Sequence, residues 1–164
     1  MIYKSDNIIL RLAGSEDRER WIELNKAFMD FEIQDGELWD NPNQLSDEKL
    51  ASTFDEAVNM PDHSALLIFE NKDSEIIGFA NLMIIFSVWS SGTGIIIDDL
   101  YIEEKYRGLG YGRETMKLIE SYAIDKGHRR LQFLSEETNE EAYNFYTHLG
   151  YHSENMKFYI KHFK

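Results

Sequence analysis

The sequence predicts a mixed α/β fold, one sheet with helices on its faces, and three observations carry that prediction. Apolar residues recur at three- and four-residue spacing in segments towards both ends of the chain, as helices with one buried face require. Between them, residues 65–102 change to runs rich in Ile, Leu, Phe and Tyr, broken by turn-forming stretches, which is the pattern of consecutive strands. No internal repeat, low-complexity tract or linker divides the 164 residues, and 43% hydrophobic side chains suffice for one compact domain spanning 1–164.

The elements follow in order. A short strand is expected over 8–12, then a helix over 16–31 capped by Ser15, with Trp21, Leu24, Phe28 and Phe31 as its apolar face. Pro42 closes an irregular acidic stretch, Ser46 caps a second helix reaching residue 60, and Pro61 ends it. Strands at 65–69, 76–86 and 95–102, separated by turns at 71–74 and 90–94, form an antiparallel meander. A helix over 110–126 stops at Gly127, and a strand covers 131–134. Thr138 and Glu141 form a capping box for a helix over 139–149, whose apolar stripe is Ala142, Phe145, Tyr146 and Leu149. Gly150 stops that helix, and a last strand is expected over 157–163.

Composition narrows the function. Seventeen bases against thirty acids give a net charge of −13, which disfavours binding to nucleic acid or an anionic membrane surface and favours a small or cationic partner. With no cysteine, disulfides, zinc-thiolate sites and thiol nucleophiles are excluded. His148 and His152 are separated by a helix-ending glycine, so no metal site is expected. The amino terminus lacks a signal-peptide core, and the longest apolar run, 82–86, is far too short to span a bilayer, so a soluble, cytoplasmic protein is expected.

The most informative segment is Lys105-Tyr106-Arg107-Gly108-Leu109-Gly110-Tyr111-Gly112-Arg113, between a strand and a helix. Alternating glycines let backbone amides converge, and the helix N-terminus adds partial positive charge, so the loop suits a phosphate group as well as a tight turn. Arg113 and Thr115 stand where a dinucleotide fingerprint would need glycine, and there is no G-K-[ST] sequence, so neither a dinucleotide fingerprint nor a P-loop is present. Lys105, Arg107, Arg113 and Lys117 form a basic island in an acidic chain, which points to a polyphosphate.

Arg107-x-x-Gly110-x-Gly112 after a strand and before a helix resembles the acyl-CoA motif of the GNAT N-acetyltransferase superfamily. The resemblance covers roughly 64–163. The start Leu10-Arg11-Leu12 fits the superfamily, and Asp98-Asp99-Leu100-Tyr101 is most similar to its spermidine/spermine (diamine) acetyltransferase branch. Asn139, Ala142, Phe145-Tyr146 and Leu149-Gly150-Tyr151 resemble a downstream signature of the same superfamily. The resemblance implies a mostly antiparallel central sheet of about six to seven strands flanked by about four helices. It implies acetyl-CoA as cosubstrate, a small-molecule amine acceptor and a homodimer. Arg107, Gly108 and the amides of Leu109, Gly110, Tyr111, Gly112 and Arg113 would cradle the pyrophosphate. The backbone of Leu100, Tyr101 and Ile102, together with Asn139, would hold the pantetheine arm.

Acyl transfer to an amine needs a base for the ammonium and a proton for the departing thiolate. Adjacent Asp98 and Asp99 interrupt an apolar strand, and alternation sends them to opposite faces unless a bulge intervenes. They could be solvated or ion-paired. The resemblance assigns Asp98 as base, acting through water because aspartate is one methylene shorter than the glutamate of the polyamine branch. Tyr146 reads either as a core tyrosine or, by the resemblance, as the acid that protonates the CoA sulfur. Phe31, Glu32, Asp35, Trp39 and Trp89 are candidates for the acceptor site, against the alternatives of a solvated acidic face and ordinary core aromatics. A noncatalytic acyl-CoA-binding sensor domain and a protein N-acetyltransferase remain competing readings, since fold and loop alone do not establish chemistry.

Overall fold

Strand alternation in the first of two compact units, Met1–Phe133, builds a single sheet with spatial order β1 to β6. In the computed structural model the described residues are 1–32 and 46–161, without the side chains of residues 31 and 32. The strands are β1 (Ile2–Lys4), β2 (Ile9–Leu12), β3 (Ser64–Glu70), β4 (Ile76–Ser87), β5 (Gly92–Ile102) and β6 (Arg130–Gln132). Neighbours are antiparallel except β5 and β6, which are parallel and joined by the crossover helix α3 (Tyr111–Asp125) that such a pair needs.

Register separates the two faces. Phe79 opposes Ile68 on one side and Tyr101 on the other. These residues form a buried cluster with Trp21 and Leu24 of α1 (Arg18–Glu32) and Leu50 and Phe54 of α2 (Asp47–Val58). On the opposite face Leu10 opposes Phe69, and neither exposes any surface. That face lies against α3, whose Tyr122 meets Tyr3, the partner of Leu10, edge-on at 5.9 Å. Burying each such Phe or Leu contributes about 1.5–3 kcal/mol, so both faces stabilise the sheet that carries the site.

The start of α1 differs from the expectation. Ser15 is not its cap: a 3-10 turn over Ser15–Asp17 precedes the helix, Gly14 is the N-cap, and the Asp17 carboxylate accepts from the Gly14 amide at 2.7 Å. A buried carboxylate outcompetes the serine because it also pairs with Arg11, at 2.6 Å, while Arg11 reaches Glu70 at 2.8 Å. Burial alone would raise the Asp17 pKa, but Arg11 and the Gly14 amide hold it below the ordinary carboxylate value. Its stabilisation is therefore present above the unfolded pKa and is lost as pH falls through the depressed folded value. Asp17→Ala is expected to cost about 2–3 kcal/mol in urea denaturation at neutral pH, with the gap from the parent closing at acid pH. Equal stability at neutral pH would show that the pair contributes nothing.

Ser46 caps α2 as expected, its side chain accepting from the Lys49 amide. In the second unit, Leu134–Lys164, α4 (Glu140–His148) is capped by Asn139, whose side chain accepts from the Ala142 amide at 2.9 Å. The Thr138–Glu141 capping box does not form, because Asn139 is one residue nearer the helix and supplies the acceptor itself. Helix α3 is followed by Gly127 and α4 by Gly150, both at positive φ, as the stop signals required.

Three strand expectations shift. Strand β1 went unread because three residues are too few to show alternation, and its order comes from pairing with β2. The strand expected over 131–134 is Arg130–Gln132, set by its register opposite Gly94, Ile95 and Ile96. The strand expected over 157–163 is absent from the described residues: 151–161 form no regular element, and 162–164 lie outside the description. Strand propensity in that segment does not suffice without a ladder partner, and no described strand pairs with it. Among the described residues, no helix is long and apolar enough to cross a membrane.

Candidate active site

The site begins where the β4–β5 ladder breaks. Asn81 opposes Asp99, but the next pair is Leu82 with Ile97, so Asp98 is an extra residue extruded from β5. The bulge resets the alternation. Asp99 and Tyr101 share the α1 face with Asn81 and Phe79, while Ile97 turns to the other face with Leu82. The Asp98 side chain is exposed, yet protein on its inner side raises its pKa above the ordinary aspartate value through partial desolvation. Asp99 is held differently, its carboxylate accepting from the Asn81 side-chain amide at 2.7 Å.

Beyond the bulge, Leu100, Tyr101 and Ile102 pair with Ala80, Phe79 and Gly78 of β4. On its other side β5 pairs with β6 only through Gly94, Ile95 and Ile96, so among the described residues no strand covers that edge of β5 from the bulge onwards. Such an edge presents backbone donors and acceptors to an extended ligand with amide groups.

The same strand feeds the glycine loop. Arg107 is folded back, its Nε donating to the Ile102 carbonyl at 3.0 Å and its guanidinium lying 5.4 Å from the Tyr101 ring centre. The motif arginine therefore braces the loop against the strand end. Gly108 at φ +75° and Gly110 at φ +84° adopt the left-handed conformation that only glycine reaches without strain, and Gly110 is the N-cap of α3. Gly112, by contrast, is an ordinary residue in the first turn of that helix. Tyr111 contacts the ring of Tyr106 at 6.4 Å, and Leu109 is exposed at the loop tip. The first amides of a helix have no intrahelical acceptor, so the amides of Leu109, Gly110, Tyr111 and Gly112 lie where an anion is favoured, whereas the Arg113 amide, also expected there, donates to the Gly110 carbonyl at 3.1 Å. Arg113 and Lys117 are exposed on the same helix. The acid of that first turn is occupied elsewhere: Glu114 accepts from Ser5 at 2.6 Å and from the Asn7 side chain at 2.7 Å. Burial would raise Glu114, but these bonds hold it below the ordinary glutamate value.

Two candidates lie in the second unit. Tyr146 is half-buried, with ring contacts to Phe145 at 5.0 Å and Tyr151 at 6.1 Å, and burial raises its pKa above 10.0. Asn139 uses one lone pair of its side-chain oxygen on the α4 cap, which leaves its NH2 group and a second lone pair for the pantetheine role expected of it. Trp89, a candidate for the acceptor site, sits in the turn between β4 and β5 with 96% of its surface exposed. Asp35 and Trp39, and the side chains of Phe31 and Glu32, lie outside the described residues. Among the described residues, no group of three or more His, Cys, Asp or Glu side chains could hold a metal ion.

The sequence left Asn25 and Asn81 unread and gave Trp21 only a place on an apolar face, yet the three join Asp99 in one hydrogen-bonded chain. The available signal was Asn81 itself, a polar residue interrupting an apolar strand.

A sheet broken by a bulge, a strand edge with no described strand partner and a glycine-capped helix N-terminus make up this site, and the comparisons show the family to which it belongs. The chain belongs to the acetyltransferase (GNAT) family, whose profile matches residues 21–151. Among curated relatives, it is 23% identical over 152 residues to a D-amino-acid N-acetyltransferase of Saccharomyces cerevisiae, covering 93% of this chain and 89% of that protein. It is 30% identical over 81 residues to the thialysine N-epsilon-acetyltransferase of Mus musculus, covering 49% of this chain and 47% of that protein. Among solved structures, one described as a possible acetyltransferase from Clostridium difficile 630 superposes with a TM-score of 0.78 at 15% identity, covering 97% of this chain and 99% of that one, which shows the shared fold.

Proposed function

We propose that this chain, as one domain over residues 1–164, is an acetyl-CoA-dependent N-acetyltransferase whose acceptor is a primary amine on a small cationic molecule. The observation that carries the reading is the loop itself: Gly108 and Gly110 at positive φ beside the open edge of β5, in a basic island of an acidic chain. The residues present fit the cosubstrate. The amides of Leu109 to Gly112, with the side chains of Arg113 and Lys117, would hold the pyrophosphate, and the backbone of Leu100 to Ile102 would pair with the pantetheine amides.

The thioester supplies an activated acetyl group. The amine must first be neutral, and Asp98, its pKa raised above the ordinary aspartate value by partial desolvation, is assigned to take the ammonium proton through a water. The amine nitrogen then bonds the thioester carbonyl carbon as the carbon–sulfur bond breaks, and the second proton it loses in becoming an amide passes to solvent. Tyr146, kept protonated by burial, is the residue assigned to deliver a proton to the departing sulfur. The relatives named for thialysine and D-amino acids support an amine acceptor. The cationic class is supported by the acids between Asp30 and Asp40, which would raise the local concentration of cations.

A thiol-release assay with acetyl-CoA and a panel of amines tests this. Release is expected only when an amine is added, fastest with diamines or aminosugars, with kcat/KM for these falling steeply from low to physiological salt. The triple change Glu32→Gln, Asp35→Asn, Glu37→Gln should raise KM for a dication and leave acetyl-CoA affinity unchanged. Binding of acetyl-CoA without release on any amine would show a noncatalytic domain, and insensitivity to both salt and the triple change would remove the cationic acceptor.

A further inference from the structure

We propose that Asn81 is a positioning residue for the amine end of the site: fixed by Trp21 and Asn25, its side-chain amide holds the Asp99 carboxylate and so sets the bulge from which Asp98 projects. This rests on the reading of Asp98 as base, and the experiment below separates the two.

The orientation of Asn81 follows from donor and acceptor chemistry. The Trp21 indole N–H can only donate, and it meets Asn81 Oδ1 at 3.0 Å. The Asn81 NH2 group must therefore face the other way, where it donates to Asp99 Oδ2 at 2.7 Å and to Asn25 Oδ1 at 3.1 Å. Asn25 is fixed by the same logic, since its own Nδ2 donates to the Trp21 carbonyl at 2.7 Å and leaves its oxygen towards Asn81. Both hydrogens of Asn81 are used and neither amide can flip without facing donor to donor.

This chain is set in an aromatic layer, with Trp21 and Asn25 only 3% and 6% exposed. Polar groups buried there stabilise nothing beyond what apolar side chains of the same shape would supply. Their position accounts for them. Asn81 and Asp99 are the last regular pair before the β4–β5 register slips, so their side-chain bond clamps the two strands at the point where the backbone ladder loses its regularity. Releasing it lets the bulge adopt other conformers and moves both carboxylates.

Among the described residues of α1, Arg18 pairs with Asp55 of α2 at 3.0 Å, and Glu19 and Asp30 lie on the same helix. On α1, Lys26 pairs with Asp47 of α2 at 2.6 Å, and Arg20 pairs with Glu23 and with Glu103 beyond the end of β5. On β5 the neighbouring titratable group is Asp98, and β4 carries none beside Asn81.

Asn81→Asp keeps the shape but sets a carboxylate against that of Asp99. Like charges at this distance share a proton, so the acid limb of kcat/KM for the amine is expected to move to higher pH by about one unit. At neutral pH kcat/KM should fall about tenfold or more, with KM for acetyl-CoA within about twofold of the parent. Trp21→Phe keeps one aromatic ring towards Phe54 and Phe79 but removes the N–H together with the pyrrole part of the indole, and it should lower kcat/KM for the amine about threefold to tenfold with acetyl-CoA KM unchanged. A folded Asn81→Asp with the parental pH profile overturns the proposal. Should that variant fail to fold, parental kcat/KM in Trp21→Phe overturns it instead. Asp98→Asn separates the readings: if the acid limb survives that change yet moves in Asn81→Asp, the base assignment fails while the positioning of Asp99 stands. If Asp98→Asn removes the limb and Asn81→Asp leaves it in place, the base stands and the positioning role fails.

Discussion

Gly110→Val is expected to abolish acetyl-CoA binding in calorimetric titration while the protein still folds and unfolds cooperatively. Gly110 caps α3 at φ +84°, where an L-residue pays about 1–2 kcal/mol and a β-branched one more. The strain is torsional, because a Cβ built at Gly110 meets nothing within 4 Å. The loop can relieve it by rotating out of the left-handed region, since this stretch is exposed and α3 is anchored further along by Met116 and Ile119, which expose no surface. Rotation turns the amides of Leu109 to Gly112 away from the anion they would hold. Losing two or three bonds from those amides to a phosphate, each about 1.5–3 kcal/mol, amounts to a loss of at least about 100-fold in affinity. Gly110→Ala carries the smaller strain and should fall between, and Gly112→Ala, at an ordinary helical position, should bind nearly as the parent does. Undiminished affinity in a folded Gly110→Val protein would sink the assignment of the loop to the pyrophosphate.

What could be read from residues alone divides along physical lines. The meander, α2 with its Ser46 cap and the glycine stops of α3 and α4 were legible because local chemistry decides them: period, cap and positive φ act over a few residues. The glycine loop was legible for the same reason. Elements decided by partners were not. Strand β1 exists because β2 offers a ladder, Asp17 displaces Ser15 because Arg11 reaches it from β2, and residues 157–161 remain irregular despite their composition. The bulge belongs to this second class. Two adjacent aspartates signal that alternation is in difficulty, but only the pairing of Asn81 with Asp99 and of Leu82 with Ile97 says which is extruded. Asn81 acquires its role through Trp21 and Asn25, fifty-six or more positions away, a distance over which no pattern in one sequence speaks.

Tyr146→Phe is expected to lower kcat about 100-fold while acetyl-CoA affinity stays within about twofold, the size of effect that follows from losing one general acid. The substitution removes a hydroxyl and keeps the ring, so the ring contacts with Phe145 and Tyr151 in the second unit persist. The pH dependence sharpens the test. A proton donor works only while protonated, and burial raises the Tyr146 pKa above its ordinary 10.0, so any alkaline limb of kcat that belongs to it must lie above that value and must vanish in the variant. Tyr143, on the same helix and 54% exposed, is the matched control, and Tyr143→Phe should leave kcat and its pH profile unchanged. Parental kcat in Tyr146→Phe would return this residue to packing, and the proton for the sulfur would then have to come from solvent or from another side chain.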